Sequence, residues 1–281
     1  MSDEGLWEGE GPVARALLAY VRKTPKHPSK VRIFRALAHA LSPKGLAIRN
    51  EFGVRLLLDP LDYIGHAICV TGSFEPLSLR LARRLMKEGG TFLDVGSNTG
   101  LFTCSLALIP GVQCIAVDAA APAFARLQEN LLRNPDVRVS AVNVALGAKR
   151  SLVQLEKPGI GNSGTTRVAG ELSTLETGSH VVAAIPLDEL LTRAKADSIR
   201  LMKIDVEGYE LEVFQGMNAT ANYWPQNIIM EWVPDFGLRR GNLELCFKIL
   251  SDHGYEPLTV AGARFSAGQP LPEENVWWRR C

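Results

Sequence analysis

The sequence predicts an α/β protein whose mostly parallel sheet carries helices on both faces. From residue 91 onward, short apolar runs alternate with helical stretches, which is the chain order of a doubly wound sheet. The first run enters a turn with two glycines four residues apart and leaves it directly into an amphipathic helix. The chain has 281 residues, of which 46% are apolar, enough for one large domain with a substantial core.

An N-terminal extension precedes this alternation. Residues 12–41 have a mostly helical pattern that two prolines interrupt. The segments Leu46–Arg49 and Val54–Leu58 have the pattern of a hairpin. A helix from about Pro76 to Lys87 is expected to end at a pair of glycines. We therefore divide the chain at residue 90 into an extension, 1–90, and a main domain, 91–281.

Five apolar runs are predicted to be strands of the main sheet. They are Thr91–Val95, Gln113–Val117, Val137–Asn143, Ile199–Asp205 and Asn227–Trp232, with helices near 100–109, 121–133 and 207–217. The polar, glycine-rich segment 145–186 is predicted to be an inserted flap over the sheet. A helix near 242–253 and two strands, Glu256–Val260 and Asn275–Arg279, complete the chain. Because a loop joins these two strands, we expect an antiparallel pair at one edge of the sheet.

Composition argues against several classes of protein. Lys plus Arg number 31 against 30 Asp plus Glu, and a net charge of +1 does not favour nucleic acid as the main partner. No run approaches the roughly 18 apolar residues of a membrane span, and the acidic N-terminus lacks the pattern of an export signal. Five cysteines without a C-x-x-C pair indicate neither a disulfide framework nor a zinc knuckle. We therefore expect a cytoplasmic protein.

A basic tract on the N-terminal helices has two interpretations. Six Lys and Arg residues lie between positions 22 and 35. The first interpretation is a solvated helical surface, and the second is a docking surface for an acidic partner. The same helices are a candidate surface for a homodimer.

The turn after the first strand is the most informative segment. Asp94 ends the strand, and Ser97 and Asn98 lie between Gly96 and Gly100. Gly96 permits a tight turn and close approach of a ligand, and Gly100 lets the helix pack near the strand. A dinucleotide-binding loop has the spacing G-x-G-x-x-G and binds a pyrophosphate, whereas the spacing here is G-x-x-x-G. The Asp94 carboxylate would repel a pyrophosphate but suits an ammonium group, directly or through surrounding water and backbone.

Polar residues end the next two strands. Asp118 lies 24 residues after Asp94, where a carboxylate accepts hydrogen bonds from ribose hydroxyls. The amide of Asn143 can donate to and accept from an adenine edge, and Ala145 just beyond it is assigned to the same binding site. Ammonium, ribose and adenine in this order describe S-adenosylmethionine.

Two motifs give the chain a resemblance to a known family. Phe92–Gly100, FLDVGSNTG, resembles the first motif of class I S-adenosylmethionine-dependent methyltransferases, and Leu201–Glu210, LMKIDVEGYE, resembles the K-I-D-V-E-G-x-E signature of FkbM-type methyltransferases. Weaker similarities lie within Asp62–Glu75 and at Asn162–Gly164. The resemblance implies a Rossmann-like sheet of seven strands and methyl transfer, usually to a hydroxyl of a natural product or sugar. Where the family often has Glu-Pro, this chain has Asp118-Ala119.

The resemblance also implies that the extension closes over the cofactor. Glu75 is the best candidate there, either binding the methionine ammonium or facing the acceptor. Its other interpretation is an acid at a helix start. The main domain, 91–281, would then be the S-adenosylmethionine-binding methyltransferase domain.

Methyl transfer needs an acceptor oxygen in line with the S–CH3 bond and a group that removes its proton. Strand alternation puts Lys203 and Asp205 on one side of the fourth strand. Glu207 begins the following helix, and Glu231 ends the fifth strand. Because neighbouring parallel strands end at the same edge of a sheet, we expect Asp205, Glu207 and Glu231 to converge on one cleft.

Two mechanisms fit these residues. In the first, a carboxylate is the general base and Lys203 holds the acids in place. In the second, acids such as Asp205 and Glu231 hold Mg²⁺, which binds and acidifies the acceptor hydroxyl. A purely structural ion pair is the alternative for Lys203, and an interaction with the helix dipole is the alternative for Glu207.

The preferred function is O-methylation of a small-molecule hydroxyl. A nicotinamide-dependent oxidoreductase on the same fold is the first alternative, against which the loop spacing argues. A non-catalytic cofactor-binding module is the second, and such a module would not need the acid cluster.

Overall fold

The computed structural model describes residues 7–50, 52–156, 166–175, 177–196, 198–217, 224–233, 238–266 and 269–281, and for 238–241 the backbone alone. The weak sequence similarity at Asn162–Gly164 lies outside these ranges.

The described residues of the N-terminal extension form a three-stranded sheet and four helices. In chain order they are β1 (Glu8–Gly9), α1 (Gly11–Lys23), α2 (Lys30–Leu41), β2 (Leu46–Arg49), β3 (Arg55–Leu58), α3 (Tyr63–Thr71) and α4 (Pro76–Leu85). The two predicted helices, the antiparallel hairpin of β2 and β3, and the helix that begins at Pro76 are confirmed. The sequence did not predict β1, which pairs with β2, or α3.

The remaining elements build the main sheet, its helices and the flap. They are β4 (Gly90–Val95), α5 (Leu101–Ala107), β5 (Val112–Val117), α6 (Ala121–Leu132), β6 (Val139–Val142), β7 (Ala145–Leu146), β8 (Ser151–Glu156), β9 (Arg167–Glu171), β10 (His180–Ile185), α7 (Leu187–Ala194), β11 (Leu201–Ile204), α8 (Glu210–Gln215), β12 (Asn227–Glu231), α9 (Leu238–Asp252), β13 (Tyr255–Thr259) and β14 (Asn275–Arg280).

Seven strands form the main sheet in the order β13-β14-β12-β11-β4-β5-β6. The five strands from β12 to β6 are mutually parallel, so the predicted α/β class and mostly parallel seven-stranded sheet are confirmed. The strand of opposite direction is β14, which pairs with β12 on one side and β13 on the other. It therefore lies one position inside the edge. All four residues of β11 are buried, as central strands covered on both faces require.

The predicted flap is a second sheet of four strands, in the order β7-β10-β8-β9. β8 pairs in antiparallel fashion with β10 and β9, while β10 runs parallel to the short β7. The sequence predicted the flap as one segment, 145–186. Within it, β9 has only a weak apolar pattern, an alternation of exposed and half-buried residues.

Two asparagines, Asn130 of α6 and Asn134 just beyond its end, attach the N-terminal hairpin to the main domain. Asn130 Oδ1 accepts a hydrogen bond from the backbone N–H of Leu57 at 2.6 Å, and its Nδ2 donates to Thr99 O at 2.8 Å. Asn134, one turn later, accepts from the N–H of Arg55 and donates to its carbonyl. The side-chain amides thus take the place of a neighbouring strand along β3.

No helix in the described part of the chain combines the length and the apolar character needed to cross a membrane.

Replacing Asn130, which is fully buried, is expected to destabilise the fold. Asn130→Ala leaves the Leu57 N–H and the Thr99 carbonyl without a partner, so the free energy of unfolding should fall by about 1–3 kcal/mol. Urea unfolding followed by circular dichroism measures this. Gln128→Ala, at an exposed position of the same helix, is the control and should change little. Equal stability of the two variants would contradict the attachment role.

Candidate functional site

A cavity of about 1090 Å³ lies at the carboxyl ends of β4, β5, β11 and β12. The N-terminal extension, the flap strand β9 and the loop before β14 supply its other walls. The described lining residues include ten carboxylates and only two basic side chains, Lys203 and Arg167. The cavity is therefore strongly acidic, although the chain as a whole is nearly neutral.

The glycine turn packs against the main sheet. Gly96 has φ +82°, and a Cβ there would lie 1.9 Å from the backbone oxygen of Asp205 at the end of β11. At Gly100, also at φ +82°, a Cβ would lie 2.6 Å from Leu127 of α6. The sequence explained these glycines by a ligand and by the preceding strand. The structure instead shows that they accommodate β11 and α6, and Gly96 also lines the cavity.

Asp94 is buried within the wall of the cavity. It is 1% exposed, and its carboxylate accepts a hydrogen bond from Thr103 Oγ1 on α5 at 2.5 Å. Burial raises the pKa of Asp94 to about 6, while the Thr103 hydrogen bond and the charge of Lys203 counteract the rise. The sequence analysis left open whether Asp94 contacts a ligand ammonium directly or acts through the surrounding water and backbone. Its burial favours the indirect interaction.

A backbone hydrogen bond joins Asp118, at the end of β5, to Asn98 in the glycine turn. The backbone N–H of Asn98 donates to Asp118 Oδ2 at 2.7 Å, and the N–H of Ala120 donates to Oδ1 at 2.8 Å. Ser97 lies alongside, with its N–H donating to Val117 O. Burial raises the pKa of Asp118 to about 6, although these two backbone hydrogen bonds lower it. The carboxylate thus lies fixed in the cavity wall at the end of β5, where the ribose site was predicted.

Asn143 does not line the cavity. Its side chain is exposed, and Nδ2 donates to the backbone carbonyls of Asp118 and Ala119 at 2.7 and 3.2 Å. The amide therefore stabilises the turn after β5. In this position it does not face the cavity, where the sequence analysis expected it to bind an adenine edge. The next residues, Val144 and Ala145, do line the cavity and give an apolar surface there.

A buried ammonium group lies at the centre of the site. Lys203 is 4% exposed, and its Nζ lies 2.9 Å from Asp205 Oδ2 and 3.6 Å from Glu75 Oε2. The ring of Phe102 is 4.9 Å away. Burial alone would lower the pKa of Lys203, but the charges of Asp205 and Glu75 outweigh it and hold the pKa above its ordinary value. The two carboxylates therefore favour the charged form of this lysine.

Glu75 has an unusual backbone conformation. Its φ of 46° and ψ of 51° put it in the left-handed region at the start of α4. Burial raises the pKa of Glu75 to about 7, opposed by Lys203 and reinforced by Asp205 and Glu273. Among the described residues, four that are not glycine have positive φ, and three of these, Glu75, Asn98 and Glu207, line this cavity. Such strain is characteristic of functional sites.

Glu273, in the loop before β14, holds this strained helix start. Its carboxylate accepts hydrogen bonds from the N–H groups of Leu77 and Ser78 at 2.6 and 2.8 Å and from Ser78 Oγ at 2.6 Å. It caps α4 from a position 195 residues away in the chain. Glu273 and Glu274 both line the cavity, and the sequence analysis missed them because nothing near them in sequence indicates the contact.

The three acids expected to converge are close together. Asp205, Glu207 and Glu231 each present a carboxylate oxygen, and these oxygens lie within 4.8 Å of one another. This spacing can accommodate one cation. Glu210, which follows in the same motif, is instead turned inward, and its Oε1 accepts from the N–H groups of Val206 and Gly208. The motif thus divides into acids that face the cavity and one that supports the turn.

Comparison with known proteins agrees with this arrangement. Residues 94–257 match the family model described as the methyltransferase FkbM domain. The chain belongs to the FkbM methyltransferase family. The matched segment runs from Asp94 to Pro257 within β13 and contains the glycine turn, the flap and the acid cluster.

Individual relatives match parts of this FkbM methyltransferase. The hexuronic acid methyltransferase AglP of Haloferax volcanii is 32% identical over 139 residues, which make up 50% of this chain and 54% of that protein. Among solved structures, an O-methyltransferase from Bacillus cereus in complex with SAH has a TM-score of 0.44 at 13% identity, covering 73% of this chain and 80% of its own. The human methyltransferase 10 domain containing protein has a TM-score of 0.47 at 12% identity, covering 91% and 97%.

The raised pKa of Asp118 predicts a pH-dependent stability of this FkbM methyltransferase. Between the ordinary value of 3.8 and about 6, the folded protein keeps a proton that the unfolded chain has lost. The Asp118 contribution to the free energy of unfolding therefore falls as the pH rises through this window. Asp118→Asn should remove about 1–2 kcal/mol of the stability difference between pH 5 and pH 8. Urea unfolding at both pH values measures it.

Asp136→Asn, at an exposed position, is the control for this experiment. It should keep the wild-type dependence on pH. If Asp118→Asn and wild type lose the same stability between the two pH values, the buried charge at Asp118 is not the cause.

Proposed function

We propose that the chain is an S-adenosylmethionine-dependent O-methyltransferase that acts on a hydroxyl of a sugar or another small polyhydroxylated molecule. The observation that carries the proposal is the Lys203–Asp205 pair, which places an oriented carboxylate in an acidic cavity next to the glycine turn. Family membership supports methyl transfer and argues against the nicotinamide alternative.

The residues present fit the methyl donor. The bound donor would supply a methyl group on a positively charged sulfur, which the acidic lining favours over an anionic ligand. Gly96 leaves the turn without a side chain at the cavity wall. Asp118 would accept hydrogen bonds from ribose hydroxyls with lone pairs that the Asn98 and Ala120 amides leave free. Val144 and Ala145 would pack against the base.

Asp205 is assigned as the general base. Lys203 binds its Oδ2 and so fixes the carboxylate plane, which leaves Oδ1 to accept a proton from the acceptor hydroxyl. Asp205 is 23% exposed in its side chain, whereas Lys203 is 6% exposed. The acid can therefore touch the substrate, and the lysine acts through the acid. Glu207 and Glu231 would bind neighbouring hydroxyls of the acceptor.

The walls outside the sheet would close the site. Tyr63, Phe74 and Glu75 of the extension and Arg167 of the flap line the cavity. We infer that the extension, 1–90, caps the donor and that the flap limits the size of the acceptor. Glu75, at the cap, would face the donor's ammonium group.

Binding of a magnesium ion is the alternative role of the acid cluster. The 4.8 Å grouping of Asp205, Glu207 and Glu231 permits it. In that case the ion would take over the acidification of the hydroxyl, and a chelator would abolish turnover. If Asp205 is the base, activity should persist in excess chelator.

The donor and base assignments are tested together. Calorimetric titration should show binding of S-adenosylmethionine and S-adenosylhomocysteine but not of NAD. Asp205→Asn should lower kcat by at least about 100-fold, because proton removal is lost, while the affinity for the donor stays largely unchanged. Asp136→Asn is again the control. Binding of NAD alone would refute the donor assignment, and turnover that survives Asp205→Asn would refute the base.

The acidic cavity predicts whether a hydroxyl or a carboxylate oxygen of the acceptor is methylated. The relative AglP is named for hexuronic acid, a sugar that offers both hydroxyl and carboxylate oxygens. Asp205, Glu207 and Glu231 would repel a carboxylate placed among them. We therefore expect a methyl ether on a hydroxyl.

This expectation is tested with labelled donor and two matched acceptors, a neutral hexoside and the corresponding uronide. The hexoside should be methylated at least as well as the uronide, and the label should survive mild alkali. Alkali-labile label formed only on the uronide would identify a methyl ester and contradict the hydroxyl assignment.

A further inference from the structure

The start of α4 is capped by a side chain other than that of its own N-cap residue. In most helices the N-cap side chain accepts a hydrogen bond from the N–H of the second or third helical residue. Glu75 is the N-cap residue of α4, and its side chain makes no such bond. The second and third residues, Leu77 and Ser78, donate their N–H groups to Glu273 at 2.6 and 2.8 Å. The first, Pro76, has no N–H. Glu273 thus performs the capping that usually falls to the N-cap residue.

This substitution leaves the carboxylate of Glu75 available to the cavity. Its side chain is 17% exposed and lines the cavity wall, and its Oε2 lies 3.6 Å from Lys203 Nζ. Without an external cap, the N–H groups of α4 and the ammonium group of Lys203 would compete for the same carboxylate. Glu273 removes that competition by satisfying the helix start.

The loop that carries Glu273 holds Glu75 at a second point. Burial raises the pKa of Glu75, and a hydrogen bond from the side chain of Asn275 is one of the interactions that lower it. Asn275 is 1% exposed. Between these two residues, the backbone carbonyl of Glu274 accepts from the N–H of Trp232 at 2.7 Å, which ties the loop to the end of β12. The loop before β14 is therefore a rigid frame for the Glu75 carboxylate.

We propose that Glu273 is a positioning residue for the methyl donor. By capping α4 in place of Glu75, it leaves the Glu75 carboxylate to bind the donor's ammonium group. This inference rests on the proposed function, in which Glu75 faces that group. If Glu273 is removed, the exposed N–H groups of the helix start attract the side chain at the N-cap position, and the ammonium group loses its partner.

The test is calorimetric titration of the full chain with three ligands. S-adenosylmethionine and S-adenosylhomocysteine carry the ammonium group, whereas 5′-methylthioadenosine lacks the amino-acid part of the donor. Glu273→Ala should weaken binding of the first two by at least about tenfold and leave binding of the third nearly unchanged. A variant that is merely damaged in its fold would lose affinity for all three. Glu88→Ala removes an exposed acid just beyond the other end of α4 and should bind each ligand like wild type.

Two further variants show whether Glu273 acts through the helix start and Glu75. Ser78→Ala removes only the hydrogen bond from Ser78 Oγ to Glu273 and changes no charge. It should weaken binding of S-adenosylmethionine in the same direction but less, by about threefold. Glu75→Gln combined with Glu273→Ala should bind the donor no more weakly than Glu75→Gln alone, because two residues that act as one unit do not have additive effects.

Four results would overturn the positioning role and leave the proposed donor intact. They are wild-type affinity in Glu273→Ala, an equal loss for all three ligands, additive losses in the double variant, and wild-type affinity in Ser78→Ala, which would give Glu273 a direct contact with the donor instead. A wild-type chain that binds none of the three ligands would refute the proposed donor, and the positioning role with it.

Discussion

The rest of the site depends on one buried charge. Lys203 lies in a central strand with its ammonium group removed from water, an arrangement that is tolerated only if the charge is paired. Asp205 supplies one partner from the end of the same strand, and Glu75 supplies the other from the N-terminal extension. The need to neutralise a single lysine therefore links the extension to the main sheet at this point and orients the carboxylate that we assign as the base.

The second partner is itself held by a distant acid. Glu75 adopts a left-handed conformation that costs about 1–3 kcal/mol for a residue with a side chain. Glu273 stabilises it by accepting the free N–H groups at the start of α4, which also interact favourably with a negative charge. Segments near residues 75, 203 and 273 thus meet at one point, and each constrains the next.

Charge is distributed very unevenly over this nearly neutral chain. Ten carboxylates line the cavity, while the segment 11–50 has nine Lys and Arg residues and no Asp or Glu. Burial raises the pKa of Asp94 and Asp118, so their ionised forms oppose folding above pH 6. A positive charge placed near these two carboxylates would favour their ionised forms.

The sequence by itself determined the sheet, because apolar runs with the period of buried strands depend only on local order. It also predicted that Asp94, Asp118, Lys203, Asp205 and Glu231 lie near one another, and the structure has all five in the lining of one cavity, since residues near the ends of parallel strands share one edge. Only the tertiary structure turned Asn143 away from the cavity, buried Asp94 against Thr103 and showed that Gly96 makes room for β11. The cap from Glu273 was likewise invisible, because a contact across 195 residues is created by folding and leaves no pattern in neighbouring residues.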